Sequence, residues 1–214
     1  MSAKRIVVAV VDVGAGNLGS VRKALEACGA EARVARSRRG VREADALVLP
    51  GVGSFSCINR IGNLRDVIIE CARVKPMLGI CLGMQFLFEG SEEAEGKGFG
   101  IFKGRVQRMR GAGKLPQIGW NKIKKTKECE LLAGISDESC FYFANSYAAR
   151  PEDENVVAAV TSYGEEFPSV VARGDVFGVQ FHPEKSGEAG LRLLKNFVEV
   201  ADERWRDWGL QVFP

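Results

Sequence analysis

The chain has 214 residues, enough for one substantial core but a tight fit for two domains. Hydrophobic residues make up 46% and charged residues 27%, and the net charge of +3 is too small to indicate nucleic-acid binding by itself. No apolar run approaches the roughly 20 residues that span a bilayer, and the start leads into a strand-like run rather than a signal peptide. We therefore expect a single domain over residues 1–214, located in the cytoplasm, with no membrane segment.

Strand and helix patterns alternate in the first half. Unbroken apolar runs predict buried strands, and apolar residues three and four positions apart predict helices. The predicted strands cover residues 6–12, 31–35, 45–49 and 77–80. The predicted helices cover residues 17–28, 64–74 and 82–89. This alternation predicts an α/β fold with an open, mostly parallel sheet flanked by helices on both faces.

Short strand patterns replace the helical period in the second half. They cover residues 105–109, 119–124, 140–144, 156–161, 170–172 and 176–181. The last two flank Arg173-Gly174-Asp175 and predict a hairpin. We expect these strands to form a smaller, mostly antiparallel region or to extend the main sheet.

The C-terminal segment predicts one more helix, beginning after Ser186. Its proposed buried face consists of Leu191, Leu194, Phe197, Val198 and Ala201. The tail beyond residue 203 carries Trp205, Trp208 and Phe213. We expect these aromatic residues to pack against the body, with contact to another chain as the alternative.

The sequence contains six cysteines and a single histidine. No two cysteines form a C-x-x-C pair, and one imidazole leaves no zinc quartet of the usual spacing, so we expect no metal site. In a reducing cytosol most of the cysteines should be free thiols. A disulfide among the cysteines other than Cys81 stays open for a hyperthermophilic source.

Cys81 lies in Gly79-Ile80-Cys81-Leu82-Gly83, between a predicted strand and a predicted helix. This pattern is the thiol version of the nucleophile elbow, a sharp turn that needs small neighbours. The turn holds the sulfur out of the sheet and at a helix N-terminus, where the helix dipole favours a thiolate. The N–H of Leu82 would then point at an oxyanion that forms on an attacked carbonyl.

His182, the lone histidine, is the candidate base for Cys81. Glu184 follows two residues later in an extended segment, so both side chains can share one face. There the carboxylate would fix the imidazole tautomer and stabilise its charged form. His182 also follows a predicted strand, and open α/β sheets place their sites at such carboxyl ends.

A second motif, Gly14-Ala15-Gly16-Asn17-Leu18-Gly19, fits the dinucleotide-binding pattern after a strand. With the basic run at residues 36–39, it makes an NADP-binding protein the alternative hypothesis. A tight strand-to-helix turn explains the same glycines. The NADP hypothesis also leaves little chain for a substrate domain and does not explain the cysteine and histidine motifs.

The basic middle of the chain raises nucleic acid as a third possibility. Its lysines and arginines are Lys103, Arg105, Arg108, Arg110, Lys114, Lys122, Lys124, Lys125 and Lys127. Few aromatic residues lie between them, which favours a solvated face or a docking surface. We therefore expect no nucleic-acid partner.

Residues 79–85 together with Phe181-His182-Pro183-Glu184 resemble the triad-type, class I glutamine amidotransferases. Within that family, residues 12–18, 49–55, 116–121 and 141–147 resemble the glutaminase subunit of imidazole glycerol phosphate synthase. The resemblance extends over about residues 6–197. Gln117 and Asn145 depart from it, since the family often has histidines there, and this puts in doubt any hydrogen bonds that those histidines make to a partner.

The resemblance implies that glutamine is hydrolysed to glutamate and ammonia through a thioester on Cys81, with His182 and Glu184 completing a triad. The ammonia would pass to a cyclase subunit, a (β/α)₈ barrel, in a heterodimer that makes imidazole glycerol phosphate and aminoimidazole carboxamide ribotide in histidine biosynthesis. No cofactor is implied.

The resemblance also assigns residues to the site and to the interface. Val52 and Gly53 would supply the second oxyanion donor beside Leu82, after a peptide rotation that couples activity to ligand binding in the partner. The implied glutamine-binding residues are Gly53, Gln85, Glu93, Ser146 and Tyr147. The implied partner-interface residues are Ala15, Asn17, Trp120, Asn121, Tyr142 and Lys185.

Overall fold

The computed structural model describes residues 5–111 and 113–212, with side chains described up to Asp207. Strands and helices alternate in the first half, as the sequence predicts. The strands are β1 (Val7–Val11), β2 (Glu31–Ala35), β3 (Ala46–Gly51) and β4 (Met77–Cys81). The helices are α1 (Leu18–Ala27), α2 (Arg38–Glu43), α3 (Leu64–Ala72) and α4 (Leu82–Phe86).

The second half consists mainly of strands. They are β5 (Gly90–Ser91), β6 (Gly104–Arg108), β7 (Gln117–Lys122), β8 (Lys124–Lys125), β9 (Cys140–Asn145), β10 (Tyr147–Pro151), β11 (Val157–Tyr163), β12 (Glu165–Arg173) and β13 (Val176–Val179). The long helix α5 (Gly187–Val212) follows. Four short 3₁₀ turns lie at Phe55–Arg60, Glu130–Leu132, Glu154–Val156 and Pro183–Lys185.

Eight strands form the main sheet in the order β2-β1-β3-β4-β13-β12-β11-β8. The first five are parallel, and the last three extend the sheet antiparallel. Strands β10, β6 and β5 form a second sheet, and β7 pairs with β9 in a third. The mostly parallel sheet, the added antiparallel strands and the β12–β13 hairpin confirm the predicted fold class.

The main sheet has one hydrophobic layer on each face. In β1, Val8 and Val10 belong to the layer that includes α1 and α5, whereas Ala9 and Val11 belong to the layer that includes α2 and α3. Alternate side chains of a strand point to opposite faces, so a continuously apolar strand can fill both layers. Each buried valine or leucine stabilises the fold by about 1.5–3 kcal/mol.

Several predicted details were wrong. Helix α2 was not predicted, because only Val41 of its six residues is buried and Gly40 interrupts the pattern. Strand β10 was not predicted either. Leu191 is 42% exposed, and Leu193 lies in the core instead. Helix α3 ends at Ala72 and α4 at Phe86, both earlier than expected.

The C-terminal tail continues α5 up to Val212. Trp205 is 37% exposed and borders a cavity of about 230 Å³ with residues 43–45 and 74–76. Arg204 pairs with Asp175 and Glu130, both at 3.0 Å. These contacts attach the start of the tail to the body, as expected, whereas the side chains of Trp208 and Phe213 lie outside the described residues.

All six cysteines are free thiols. None of the helices within residues 5–111 and 113–212 has the length and apolarity to cross a membrane.

Candidate active site

Cys81 occupies a strained turn between β4 and α4. Its φ of 53° and ψ of −108° make it the one non-glycine residue with positive φ in the described part of the chain. A Cβ on Gly79 would lie 2.7 Å from the Gly83 oxygen, and a Cβ on Gly83 would lie 1.7 Å from the Leu49 oxygen. Both glycines are therefore required for close backbone contact, and the predicted elbow geometry is present.

The sheet topology brings His182 to Cys81. Strand β13 lies beside β4 and parallel to it, with Val179 opposite Ile80, so the residues that follow the two strands emerge at the same edge. The imidazole hydrogen-bonds the Cys81 sulfur. Its Nδ1 lies 2.9 Å from Glu184 Oε1, and the side chains of both residues are at most 3% exposed.

Main-chain hydrogen bonds hold the segment that carries His182. The His182 N–H donates to the Tyr142 carbonyl at 2.8 Å, and the Ser186 hydroxyl donates to the His182 carbonyl at 2.6 Å. The same hydroxyl accepts the Tyr142 N–H at 3.0 Å. Pro183 starts the short 3₁₀ turn that positions Glu184. Strand β9 therefore fixes the imidazole through its backbone.

The environment of His182 favours the protonated ring. Burial alone lowers its pKa, but the hydrogen bonds to Cys81 and Glu184 and their negative charges outweigh burial and raise the pKa to about 10. An imidazolium held between a carboxylate and a sulfur can stabilise negative charge on that sulfur and can deliver a proton.

Cys81 and His182 line a cavity of about 330 Å³. The other lining residues are Val52, Gly53, Leu82, Gln85, Glu93, Pro116, Ala144, Asn145, Ser146, Tyr147 and Lys185. Every residue for which the sequence suggested a catalytic, oxyanion or glutamine-binding role is in this set except Glu184, which lies behind His182. Pro116 and Ala144 were not anticipated as lining residues.

Polar side chains at the cavity wall are held by specific partners. Glu93 Oε2 accepts the Phe55 N–H at 2.7 Å and so anchors the loop that follows Gly53. Gln85 Nε2 donates to the Tyr147 carbonyl at 3.3 Å and to Gln180 Oε1 at 3.2 Å. Gln180 was not predicted as a site residue, because an amide that follows an apolar strand does not by itself indicate which groups it contacts.

Two of the predicted interface residues lie at the cavity: Lys185 lines it, and Tyr142 lies beside His182. Trp120 is 58% exposed, and its ring centroid lies 6.1 Å from that of Tyr142. The centroid of the Tyr142 ring lies 6.4 Å from that of His182. Lys185 Nζ lies 5.5 Å from the centroid of the same Tyr142 ring. Asn121 lies beside Trp120 and donates to the Ser162 carbonyl at 2.9 Å. An aromatic path therefore runs from the surface to the imidazole.

The glycine-rich loop after β1 is a tight turn near the same edge of the sheet. Asn17 Oδ1 caps α1 by accepting the Ser20 N–H at 3.2 Å, and half-buried Ala15 precedes it. A Cβ on Gly16 would lie 3.5 Å from the Pro50 carbonyl, so the loop lies close to the end of β3.

Two observations on this loop and the nearby arginines argue against dinucleotide binding. A Cβ on Gly19 would meet no described atom within 4 Å, although the fingerprint needs its third glycine for close packing of helix and strand. Arg36 pairs with Asp12 at 2.8 Å and Arg39 with Glu43 at 2.6 Å, so two of the nearby arginines already have acidic partners. The turn explanation is therefore favoured.

Comparison with known proteins agrees with the site geometry. A family model described as glutamine amidotransferase class-I matches residues 9–201. The chain is 49% identical to the imidazole glycerol phosphate synthase subunit HisH of Thermococcus kodakarensis, over 89% of this chain and 98% of that one. It is 42% identical to the subunit of the same name from Bacillus cereus strain G9842, over 96% of this chain and all of that one.

Solved structures share the fold. One described as PurLQS from Thermotoga maritima superposes with a TM-score of 0.73 at 20% identity, over 92% of this chain and 99% of that chain. One described as glutamine amidotransferase gives 0.72 at 22% identity, over 91% and 98%. The family model and the relatives show that the chain belongs to the class-I glutamine amidotransferase family, in the group formed by the HisH subunits of imidazole glycerol phosphate synthase.

Proposed function

We propose that this chain is the glutamine-hydrolysing subunit of an imidazole glycerol phosphate synthase and acts through Cys81, His182 and Glu184. The observation that carries the proposal is the meeting of a strained cysteine and a carboxylate-bound histidine in one cavity. The sequence identity to HisH subunits over nearly the full chain supports the choice of enzyme.

The chemistry proceeds in two steps. The Cys81 sulfur attacks the side-chain amide carbon of glutamine, His182 protonates the leaving nitrogen, and ammonia departs to leave a thioester. Water then attacks the thioester carbon while His182 removes its proton, and glutamate leaves as the C–S bond breaks. Glu184 orients the imidazole and stabilises its positive charge in both steps.

Each step places negative charge on the carbonyl oxygen, which needs hydrogen-bond donors. The Leu82 N–H at the start of α4 is one donor. The backbone at Val52 and Gly53 supplies the second, in the loop between β3 and the turn at Phe55–Arg60. Gly53 has a φ of +97°, and because glycine has no Cβ, the adjoining peptide can rotate to other conformations at little steric cost. Such a rotation would let ligand binding in a partner switch the donor into place.

The cavity wall offers groups for the two ends of glutamine. Glu93 provides a carboxylate for the ammonium group, and its bond to Phe55 keeps it next to the oxyanion loop. Gly53, Gln85, Ser146 and Tyr147 contact the rest of the substrate. The volume of about 330 Å³ suits one small amino acid.

We assign the rim of the cavity to a cyclase subunit, a (β/α)₈ barrel, in a heterodimer. The proposed contact residues are Lys185 at the cavity, Tyr142 beside His182, Trp120 and Asn121 of β7, and Ala15 and Asn17 of the glycine-rich loop. A partner seated there would cover the mouth, so that ammonia passes into the barrel and not into water. Exposed Trp120 has the size and amphipathic character of an interface anchor.

Partner dependence tests this proposal. We expect the isolated chain to hydrolyse glutamine about 100-fold more slowly than the complex with a cyclase subunit and its ligand, because the loss of one oxyanion donor costs roughly 100- to 1,000-fold in kcat. Glutamate release is the readout, with the cyclase subunit alone as control. Equal and rapid turnover with and without the partner would favour an autonomous hydrolase.

A further inference from the structure

Gln180 is a buried amide that the proposed mechanism does not use. It follows β13 directly, its backbone N–H donates to the Ser169 carbonyl at 2.9 Å, and its side chain is 0% exposed. A primary amide in such a position needs hydrogen-bond partners, because an unsatisfied buried donor or acceptor costs about 1–3 kcal/mol. Its partners therefore indicate its role.

The amide of Gln180 bridges two residues of the site. Its Nε2 lies 3.6 Å from the Cys81 sulfur, a normal distance for an N–H donor to sulfur, and its Oε1 accepts from Gln85 Nε2 at 3.2 Å. Gln85 Nε2 also donates to the Tyr147 carbonyl at 3.3 Å. One chain of hydrogen bonds thus runs from the Tyr147 backbone to the reacting sulfur.

The Tyr147 carbonyl determines which group donates and which accepts in each of these hydrogen bonds. The Tyr147 carbonyl can only accept, so Gln85 must turn its NH₂ group towards it. The same NH₂ group faces Gln180, which must therefore present its oxygen to Gln85. The NH₂ group of Gln180 then faces the sulfur. If the Gln180 amide were rotated by 180°, its NH₂ group would meet that of Gln85, and its oxygen would meet the sulfur.

We propose that Gln180 is a catalytic residue that donates a hydrogen bond to the Cys81 sulfur and stabilises it as a thiolate. The inference rests on the proposed thiol mechanism and deepens it. His182 and Gln180 are two donors to one sulfur, and only the imidazole exchanges its proton. A fixed amide dipole also favours departure of the thiolate when water breaks the thioester. Both donors keep the sulfur directed into the cavity.

Two variants separate hydrogen-bond donation from packing. Gln180→Met keeps a similar length but removes both the donor and the acceptor. Gln180→Glu keeps the shape and an acceptor for Gln85, but it replaces the donor with a carboxylate oxygen. Ser169→Ala is the matched control, because the Ser169 hydroxyl is buried beside Gln180 on β12 and has no partner within the described residues.

The first readout is the pH profile of iodoacetamide alkylation at Cys81 in the full-length chain. Peptide mass spectrometry resolves Cys81 from the five other thiols. The titratable groups around the sulfur are His182 and, behind it, Glu184, with Glu93, Tyr147 and Lys185 elsewhere in the cavity, and all variants keep them. We expect the pH of half-maximal alkylation to rise by about one unit in Gln180→Met and further in Gln180→Glu.

The second readout is glutamine turnover in the complex with a cyclase subunit. We expect kcat to fall about tenfold in Gln180→Met, with KM changed less than about twofold, because the lost interaction is with the nucleophile. Ser169→Ala should match the wild type in both readouts. Thermal unfolding monitored by circular dichroism identifies any variant that is not folded.

Distinct results overturn distinct claims. Folded Gln180→Met and Gln180→Glu proteins with the wild-type alkylation profile would exclude the donor role, whatever the glutaminase rates. A wild-type complex without glutaminase activity would instead overturn the proposed function. Should neither variant fold, the Gln180 side-chain amide resonances of the native chain decide: they shift on Cys81→Ala substitution if the hydrogen bond exists and stay unchanged if it does not.

Discussion

At the scale of single residues, Cys81 combines backbone strain with charged surroundings. A non-glycine residue in the left-handed region costs about 1–3 kcal/mol, and such strain persists only where the surrounding structure imposes it. Here the imposing contacts are those of Gly79 and Gly83 with neighbouring backbone. The buried pair of His182 and Glu184 then completes a setting suited to a nucleophilic sulfur.

The lone histidine allows a direct test of this setting. We expect the single imidazole resonance of the wild type to titrate well above pH 6.5, because Cys81 and Glu184 raise the pKa of His182 to about 10. In Cys81→Ala the hydrogen bond and charge of the sulfur are gone, so this pKa should fall by at least about one unit. NMR titration of the ring Cε1–H is the measurement.

The raised pKa also fixes the sign of a stability change. Since the folded-state pKa exceeds the unfolded value of 6.5, protonated His182 stabilises the fold fully below pH 6.5. That contribution is lost as the pH rises towards about 10. Unfolding by urea should therefore show the largest deficit of His182→Asn near pH 6. A deficit that grows between pH 6.5 and 10 would contradict the assigned charge state.

At the scale of elements, the crossing of β3 by the start of α4 determines the site. The Gly83 backbone lies against the Leu49 carbonyl of β3, so α4 starts close to the sheet and Leu82 comes next to Gly51. The turn at Cys81 is therefore fixed by backbone packing between adjacent elements.

Gly83→Ala tests this packing. Its Cβ would lie 1.7 Å from the Leu49 oxygen, so α4 must move away from β3. We expect a loss of about 3 kcal/mol or more in the free energy of unfolding and loss of glutaminase activity. Urea denaturation measures the first effect.

Gly19→Ala is the matched control for that substitution. Gly19 lies inside α1, where a Cβ meets nothing within 4 Å, so the change should add about 0.5–1 kcal/mol through helix propensity. If Gly83→Ala were as stable as the wild type, the close approach of Gly83 to the Leu49 carbonyl would not constrain the position of α4.

At the scale of the whole molecule, the parallel half of the fold was predictable because its strands are buried on both faces and read as continuous apolar runs. Strand β12 proved longer than expected. Its Pro168 lies opposite Val160 of β11, before the segment paired with β13, where a missing N–H is tolerated.

The site itself was only partly predictable. The cysteine turn and the histidine with its glutamate have local patterns, and these positions agree with the structure. The meeting of Cys81 with His182 depends on the pairing of β4 with β13, which no local pattern specifies. The proposed role of Gln180 could be inferred only from the contacts of its side chain, since an amide after a strand has many possible partners.

The central claim is that Cys81 is the nucleophile for glutamine hydrolysis in a complex with a cyclase subunit. The most direct measurement is steady-state glutamate release by Cys81→Ala in that complex, with complex formation checked by size-exclusion chromatography. We expect a loss of at least about 1,000-fold in kcat with the complex intact, because no thioester can form. Turnover within tenfold of the wild type by the intact complex would contradict the mechanism.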